Sequence, residues 1–144
     1  MNLYTIGFTG KTAEDFFSRL RSGRVKRIID VRLNNTGQLA GFSKRDDLKF
    51  FTKELLGAEY IHLPLLAPTQ EMLDEYKKEK RGWDLYEKKF RALISEREIE
   101  KQLDPELIEG GCLLCSEDKP HQCHRRIVAE YLKEKWGDIE VVHL

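Results

Sequence analysis

Five short apolar segments of the chain alternate with longer segments in which apolar residues recur at helical spacing. The apolar segments cover residues 2–6, 27–33, 59–63, 111–115 and 139–143. The second and fourth are continuous rather than alternating, which is typical of parallel strands covered on both faces. Strands that alternate with helices predict an α/β fold. We expect a three-layer sandwich, in which helices cover both faces of a mostly parallel five-stranded sheet.

The helical segments carry recognisable start signals. Thr12 is a potential N-cap with Asp15 three residues later, and Asp104 precedes a first-turn proline, Pro105. Ser43 or Asp46 can open a further helix. Several helices separate the third and fourth strands, so we expect an excursion beside the sheet. A length of 144 residues with 40% hydrophobic residues suits a single domain spanning 1–144.

Charge and cysteine content narrow the class of protein. The 25 basic and 25 acidic residues balance, so no overall positive field favours nucleic acid or a membrane surface. No apolar run approaches the roughly 20 residues of a spanning helix. The N-terminus lacks a signal-peptide pattern, and three cysteines, an odd number, suit reduced thiols. We therefore expect a cytoplasmic protein without a membrane partner.

The richest chemistry lies between residues 115 and 126, where a predicted strand joins the last predicted helix. This segment holds two thiols, two imidazoles, two carboxylates and two guanidinium groups. Ligands of open α/β sheets bind in crevices at the carboxyl ends of strands. The segment is therefore the predicted site.

Nucleophilic catalysis is one chemistry that this segment allows. Cys115 ends a predicted strand, and Cys123 lies near a helix start beside Arg125, a setting that favours thiolates. A phosphatase-like loop would place arginine after five intervening residues, where this chain has His121. Glycines of a nucleotide-binding phosphate loop are also lacking. We interpret Cys115 as a nucleophile or substrate contact, with Glu117 and His124 as acid–base candidates.

Metal binding is an alternative. Cys112, Cys115, Cys123 and His124 are four nominal ligands, but strand residues three apart point to opposite faces. A zinc site formed by Cys115, Cys123 and His124 stays open if the loop folds back. No cofactor is assigned from the sequence.

Anion binding is the third chemistry. Arg32, Arg125 and the first amides of the last helix could hold a phosphate or carboxylate. Asp30 lies two residues before Arg32, on the same face of a strand. It either forms a structural salt bridge, with Arg32 or with another strand, or takes part in catalysis by orienting Arg32 or a histidine. The two interpretations are compatible.

Small and polar residues that follow the first two predicted strands are further candidates for binding a substrate. Gly7 permits close approach of a ligand. Asn34, Asn35 and Gln38 belong to a polar loop after the second strand, in which Asx turns are an alternative explanation for the asparagines. His62 is either a near-core side chain or part of the rim, and His143 is interpreted as structural.

The chain resembles a known family through five motifs in the same order and spacing. They are Tyr4-Thr-Ile-Gly7, Ile29-Asp-Val-Arg32, Tyr60-Ile-His-Leu-Pro64, Leu113-Leu-Cys-Ser-Glu117 and Cys123-His-Arg125, followed by Val142-His143. They are similar to those of the family called domain of unknown function 488. The resemblance implies a compact α/β domain with one shared site of unassigned chemistry, and some members carry labels that refer to DNA repair.

Two departures separate this chain from the common pattern of that family. Gly7-Phe8-Thr9 stands where the family often has Gly-His-Ser, and Leu33-Asn34-Asn35 stands where proline and serine often follow. The resemblance therefore assigns no role of that histidine or proline loop to these positions of the chain.

The combined prediction is a small protein that binds an anionic small molecule or nucleotide in a Cys/His/Arg/Glu pocket. Whether it is an enzyme stays open; a cysteine-dependent transferase or hydrolase is the expected class. The alternatives are a nucleic-acid-associated module using the same pocket and a metal-stabilised domain.

Overall fold

The computed structural model describes residues 1–36, 41–78, 82–117 and 120–144. Their strands form one sheet, and the prediction of five strands at these positions is confirmed. The strands are β1 (Asn2–Gly7), β2 (Arg27–Asp30), β3 (Glu59–His62), β4 (Gly111–Cys115) and β5 (Glu140–His143). Their order is β3-β2-β4-β1-β5, and every pair is parallel.

The parallel arrangement brings the carboxyl ends of the strands to one edge of the sheet. Gly7 is in register with Cys115, and Asp30 is in register with both Leu114 and His62. Residues distant in sequence therefore meet at this edge, as the sequence predicted.

The second strand is shorter than the sequence pattern suggested. Sheet pairing ends at Asp30 because the backbone N–H of Arg32 donates to the Asp30 carboxylate, at 3.1 Å, instead of to a neighbouring strand. Arg32 and the residues after it therefore belong to a loop at the edge of the sheet.

Helices cover both faces of the sheet, as expected of an α/β sandwich. The helices are α1 (Ala13–Ser22), α2 (Arg45–Leu56), α3 (Gln70–Lys78), α4 (Trp83–Glu96), α5 (Ile99–Gln102), α6 (Pro105–Ile108) and α7 (His124–Trp136). Thr12 and Asp104 cap α1 and α6 as predicted, each accepting a backbone N–H. The predicted start of α2 was wrong, because the N-cap is Lys44, which makes no side-chain cap bond.

Two separate cores show how the sheet divides the protein. One core joins Ile28 and Leu114 to Phe16 of α1 and Leu48 of α2. The other joins Ile29 and Leu113 to the apolar faces of α4 and α7. Cys112 lies in the first core and Cys115 in the second, which confirms that residues three apart on this strand face opposite ways. Cys115 is therefore directed towards α7.

Within the described ranges, no helix has the length and apolar character needed to cross a bilayer.

Candidate active site

A cavity of about 310 Å³ opens at the carboxyl edge of the sheet. Its lining comes from the loop after β2, the loop after β4, the start of α7 and the facing sides of α3 and α4. The residues contributed by the first three places are Arg32, Leu33, Asn34, Cys115, Ser116, Glu117, Gln122, Cys123 and His124. This is the crevice that the strand pattern predicted.

A chain of hydrogen bonds links Cys115 to the backbone of the neighbouring strand end. The Nε2 atom of His124 lies 2.7 Å from the carbonyl oxygen of Val31, so Nε2 carries the proton and donates. In the neutral ring the lone pair is then on Nδ1, which lies 3.4 Å from the sulfur of Cys115. A carbonyl that orients a histidine against a thiol is the arrangement of an activated nucleophile.

The surroundings of Cys115 favour its thiolate. Burial opposes ionisation, but hydrogen bonding from Cys123, the charge of Arg125 and the backbone N–H groups of Ser116 and Glu117 together lower the pKa of Cys115. The thiolate would therefore form at lower pH than that of an ordinary cysteine.

The other two cysteines have the opposite tendency. Burial raises the pKa of Cys112, which lies on the far side of the sheet. Burial, followed by the hydrogen bond with Cys115 and the charge of that residue, raises the pKa of Cys123. Cys123 therefore keeps its proton, and its S–H group donates a hydrogen bond to Cys115.

Three of these side chains could also hold a metal ion. Ligand atoms of Cys115, Cys123 and His124 all lie within 4.8 Å of one another, and all three residues are buried. The loop therefore does fold back, as the zinc alternative required. Nδ1 would be the histidine ligand, because Nε2 is engaged by Val31.

Arg32 is held by an extensive network around Asp30. Nε and Nη2 of Arg32 donate to the two carboxylate oxygens of Asp30, each at 2.8 Å. The hydroxyl of Tyr60 and the amide of Asn35 also donate to Asp30, at 2.5 Å and 3.3 Å. Burial favours the neutral acid, yet the hydrogen bond and charge of Arg32, with the Tyr60 hydrogen bond, hold the pKa of Asp30 below its usual value.

One nitrogen of the Arg32 guanidinium, Nη1, makes no hydrogen bond with the described residues. Arg32 is 3% exposed, and its Nη1 atom is buried with no hydrogen-bond partner among the described residues. The guanidinium also lies 5.4 Å from the centre of the Phe8 ring. Phe8 stands where the family that this chain resembles often has histidine. The side chain that contacts the Arg32 guanidinium at this position is therefore apolar.

A second buried network supports the loop after β4. Nη1 of Arg125 donates to the carbonyl of Glu117, and Nε donates to the hydroxyl of Thr5 at 3.3 Å. That hydroxyl lies 2.6 Å from Nδ1 of His143, which agrees with the structural interpretation of His143. A Cβ atom on Gly7 would lie 1.6 Å from the Glu117 carbonyl oxygen, so this position requires glycine.

The structure brings together most of the residues that the sequence singled out. Arg32, Asn34, Cys115, Glu117, Cys123 and His124 line the cavity. Gly7, Asp30, Asn35 and Arg125 are absent from the lining and lie in the two supporting networks. A direct substrate contact by Gly7, Asn35 or Arg125 stays a prediction. Gln38 lies outside the described residues.

Several residues of the site were not anticipated. Lys77, Trp83 and Tyr86 line the cavity from α3 and α4, and Tyr60 completes the Asp30 network. Tyr86 also belongs to the core on that side of the sheet. Helical spacing shows that Trp83 and Tyr86 share a face, but does not show that this face also borders a cavity. His62, whose Nε2 lies 2.7 Å from the Arg32 carbonyl, supports the same loop.

Comparison with known proteins gives one match. The family model described as domain of unknown function DUF488 matches residues 12–132. No curated protein and no solved structure matches the chain.

Proposed function

The chain belongs to the family described as domain of unknown function DUF488, and from that premise we propose that it is a small cysteine-dependent enzyme acting on an anionic substrate. The observation that carries the proposal is the cavity lined by Cys115, its histidine partner and Arg32, whose buried Nη1 has no hydrogen-bond partner among the described residues. The reaction class is transfer or hydrolysis through a covalent intermediate on Cys115.

The Cys115–His124 pair supports the nucleophilic part of this proposal. Neutral His124 can accept the Cys115 proton at Nδ1, while Val31 keeps the ring in the orientation that this transfer needs. The resulting imidazolium can return the proton to a leaving group. Glu117 is a second acid–base candidate, because it is exposed and lines the same cavity.

Arg32 supports the anionic character of the substrate. Its charge is balanced by Asp30, so it offers a fixed, directed N–H rather than a free positive charge. A buried donor without a partner costs free energy, which a substrate oxygen would recover. A carboxylate or phosphate oxygen at Nη1 would form a charge-assisted hydrogen bond. Lys77 adds an exposed cation, and Asn34 a polar contact, on the cavity wall.

The aromatic wall indicates a second property of the substrate. The ring centres of Trp83 and Tyr86 are 5.0 Å apart, and those of Tyr76 and Tyr86 are 5.1 Å apart. All three rings line the cavity. A substrate with an apolar or planar part beside its anionic group would contact both walls.

Protection of Cys115 from alkylation tests this function. Inorganic phosphate and pyrophosphate should slow the reaction of Cys115 with iodoacetamide in the wild type. Arg32→Lys keeps a cation beside Asp30 but removes the Nη1 donor, so it should weaken protection by about tenfold. Arg27→Lys, at the opposite end of β2, is the matched control and should be protected like the wild type. Equal protection in both variants, or none in the wild type, would contradict the proposal.

A metal-bound state is a second candidate, favoured by the clustering of Cys115, Cys123 and His124. Zinc accepts thiolate and imidazole ligands, and three protein ligands would leave one position for a substrate or water. Elemental analysis of the purified protein decides this alternative. Stoichiometric zinc that is lost in Cys123→Ser supports it, and a metal-free, folded protein removes it.

The nucleic-acid alternative uses the same cavity, and the described residues add no supporting feature that is specific to it. The charge of Arg32 is already balanced by Asp30. Mobility shifts of single-stranded DNA at low salt would test it, and the absence of retention would remove it.

A further inference from the structure

Two of the three cysteines meet in the cavity, although only one is needed as a nucleophile. The sulfurs of Cys115 and Cys123 lie within 4.8 Å of each other, and both thiols are free and line the cavity. Cys112 is excluded from this pair because it packs in the core on the opposite face of the sheet.

The position of Cys123 is unusual for its residue type. It is the N-cap of α7, where serine, threonine, asparagine or aspartate would accept a helix N–H. Cys123 makes no side-chain cap bond, so the helix forgoes that stabilisation. The Cys123 thiol instead makes its hydrogen bond with Cys115, so this side chain is engaged by the cavity and not by the helix.

We propose that Cys115 and Cys123 form a dithiol–disulfide couple that reduces small, carboxylate-bearing disulfides bound in the cavity. The inference rests on the proposed function to the extent that Cys115 is the nucleophile. It adds a resolving residue, Cys123, and names a substrate class.

The first step is thiol–disulfide exchange on Cys115. The Cys115 proton moves to His124, and the thiolate attacks one sulfur of the substrate R–S–S–R. A Cys115–S–S–R bond forms, and the released RS⁻ takes the proton from His124 and leaves as a thiol. In the second step the Cys123 proton moves to His124, and the Cys123 thiolate attacks the Cys115 sulfur. A Cys115–Cys123 disulfide forms, and the second RS⁻ leaves and is protonated. The protein loses two electrons, the substrate gains them as two thiols, and an external thiol reductant restores the dithiol.

The shape and polar groups of the cavity select the substrate class. A volume of about 310 Å³ admits a small molecule rather than a disulfide within a folded protein. Arg32 lines the cavity, and we assign its Nη1, which is buried without a partner among the described residues, to a carboxylate on that molecule. Dithiodipropionate, which is small and anionic, is therefore a suitable probe, and hydroxyethyl disulfide is its uncharged counterpart.

Intact-mass spectrometry after mixing reduced protein with dithiodipropionate tests the couple. The wild type should become lighter by two hydrogens, and peptide mapping should identify a Cys115–Cys123 disulfide. Cys123→Ser should stop at the mixed disulfide, with one mercaptopropionyl group on Cys115. Cys112→Ala, the matched control, should behave as the wild type, and Cys115→Ser should form neither product.

The rates with the two probes test the substrate class. Arg32→Lys should slow the reaction with dithiodipropionate about tenfold relative to its reaction with hydroxyethyl disulfide. Equal slowing with both probes would overturn the role of the carboxylate.

The other outcomes separate this inference from the proposed function. A persistent mixed disulfide on Cys115 of the wild type would overturn the couple while leaving Cys115 a nucleophile. Failure of folded Cys123→Ser to form any adduct would overturn both. An internal disulfide that includes Cys112, or stoichiometric zinc that blocks the two thiols, would also overturn the couple.

Discussion

The Cys115 sulfur is surrounded by groups that each change its ionisation. Burial opposes the thiolate, whereas the Cys123 thiol, the Arg125 charge and two backbone N–H groups stabilise it. The sum lowers the pKa of Cys115 from its usual value of 9.0. Removing one neighbouring donor should therefore change the reactivity of Cys115 by a measurable amount.

Removing the Cys123 donor should raise the pKa of Cys115. Cys123→Ala leaves no donor, so the Cys115 thiolate loses a hydrogen bond of the charge-assisted kind, which contributes about 1.5 kcal/mol. The initial rate of iodoacetamide labelling of Cys115, followed against pH, measures the shift. Cys123→Ser, which keeps a hydroxyl donor, should lie near the wild type. Identical profiles for alanine and serine would show that Cys123 does not stabilise the thiolate.

Gly7 is the residue on which the loop after β4 depends most directly. An added Cβ would lie 1.6 Å from the Glu117 carbonyl oxygen and 2.8 Å from Nη1 of Arg125. Gly7→Ala must therefore displace the loop, which we expect to destabilise the protein by about 1–3 kcal/mol, as overpacking does. It should also slow labelling of Cys115 by moving the N–H groups that face the sulfur.

Urea unfolding and the Cys115 labelling rate report on the two effects separately. Gly41→Ala is the control, because nothing lies within 4 Å of its added Cβ. A Gly7→Ala protein with unchanged stability and unchanged labelling would show that the loop tolerates the side chain.

At the scale of elements, the N-terminus of α7 begins at a cysteine that does not cap the helix. Cys123 has the extended backbone of an N-cap, with φ −142° and ψ 141°, but makes no side-chain cap bond. The adjoining His124 and Arg125 are buried parts of the site. The residues at the start of α7 therefore belong to the site, although Cys123 does not cap the helix.

Serine at position 123 should recover capping that alanine cannot provide. We expect Cys123→Ser to be about 1 kcal/mol more stable than Cys123→Ala, because only serine can accept a helix N–H. Urea unfolding of the two variants under reducing conditions measures the difference. Equal stability, or a more stable alanine variant, would contradict the account of this helix start.

The elements were predictable from the sequence to different degrees. The five strands follow from short apolar runs, and the α1 and α6 starts follow from Thr12 and Asp104. The end of β2 was not predictable, because it depends on a side chain: the Asp30 carboxylate accepts the Arg32 N–H. The start of α2 at Lys44 was missed because Lys44 gives no capping signal.

At the scale of the whole molecule, the parallel sheet explains why distant residues share one site. Residues that end β2 and β4 meet at one edge, so Arg32 and Cys115 could be assigned to one crevice from the sequence. The contribution of α3 and α4 could not be, because strand order and helix placement depend on packing between distant segments. The supporting role of Arg125 was also hidden, since no local pattern indicates its contact with Glu117.

The Asp30–Arg32 pair should make stability depend on pH. The pKa of Asp30 is lowered from 3.8 in the folded protein, so its ion pair stabilises the fold above that value and is lost as pH falls. Asp30→Asn lacks the charge and should lose about 3 kcal/mol at neutral pH, because it leaves buried Arg32 without its anion. The difference from the wild type should shrink when unfolding is measured below pH 3.8.

Asp46→Asn provides the matched control for that comparison. Asp46 pairs with Arg45 on the surface, with 84% of its side chain exposed, so its replacement should change stability little at any pH. A constant difference between wild type and Asp30→Asn across pH would contradict the linkage.

The most direct test of the central claim is the order in which the three cysteines react in the folded protein. Limiting iodoacetamide at neutral pH, followed by peptide mapping, measures that order. The account predicts that Cys115 is labelled first, while Cys123 and Cys112 react slowly until the protein is unfolded. Preferential labelling of Cys112 or Cys123, or no labelling of Cys115 before unfolding, would contradict it.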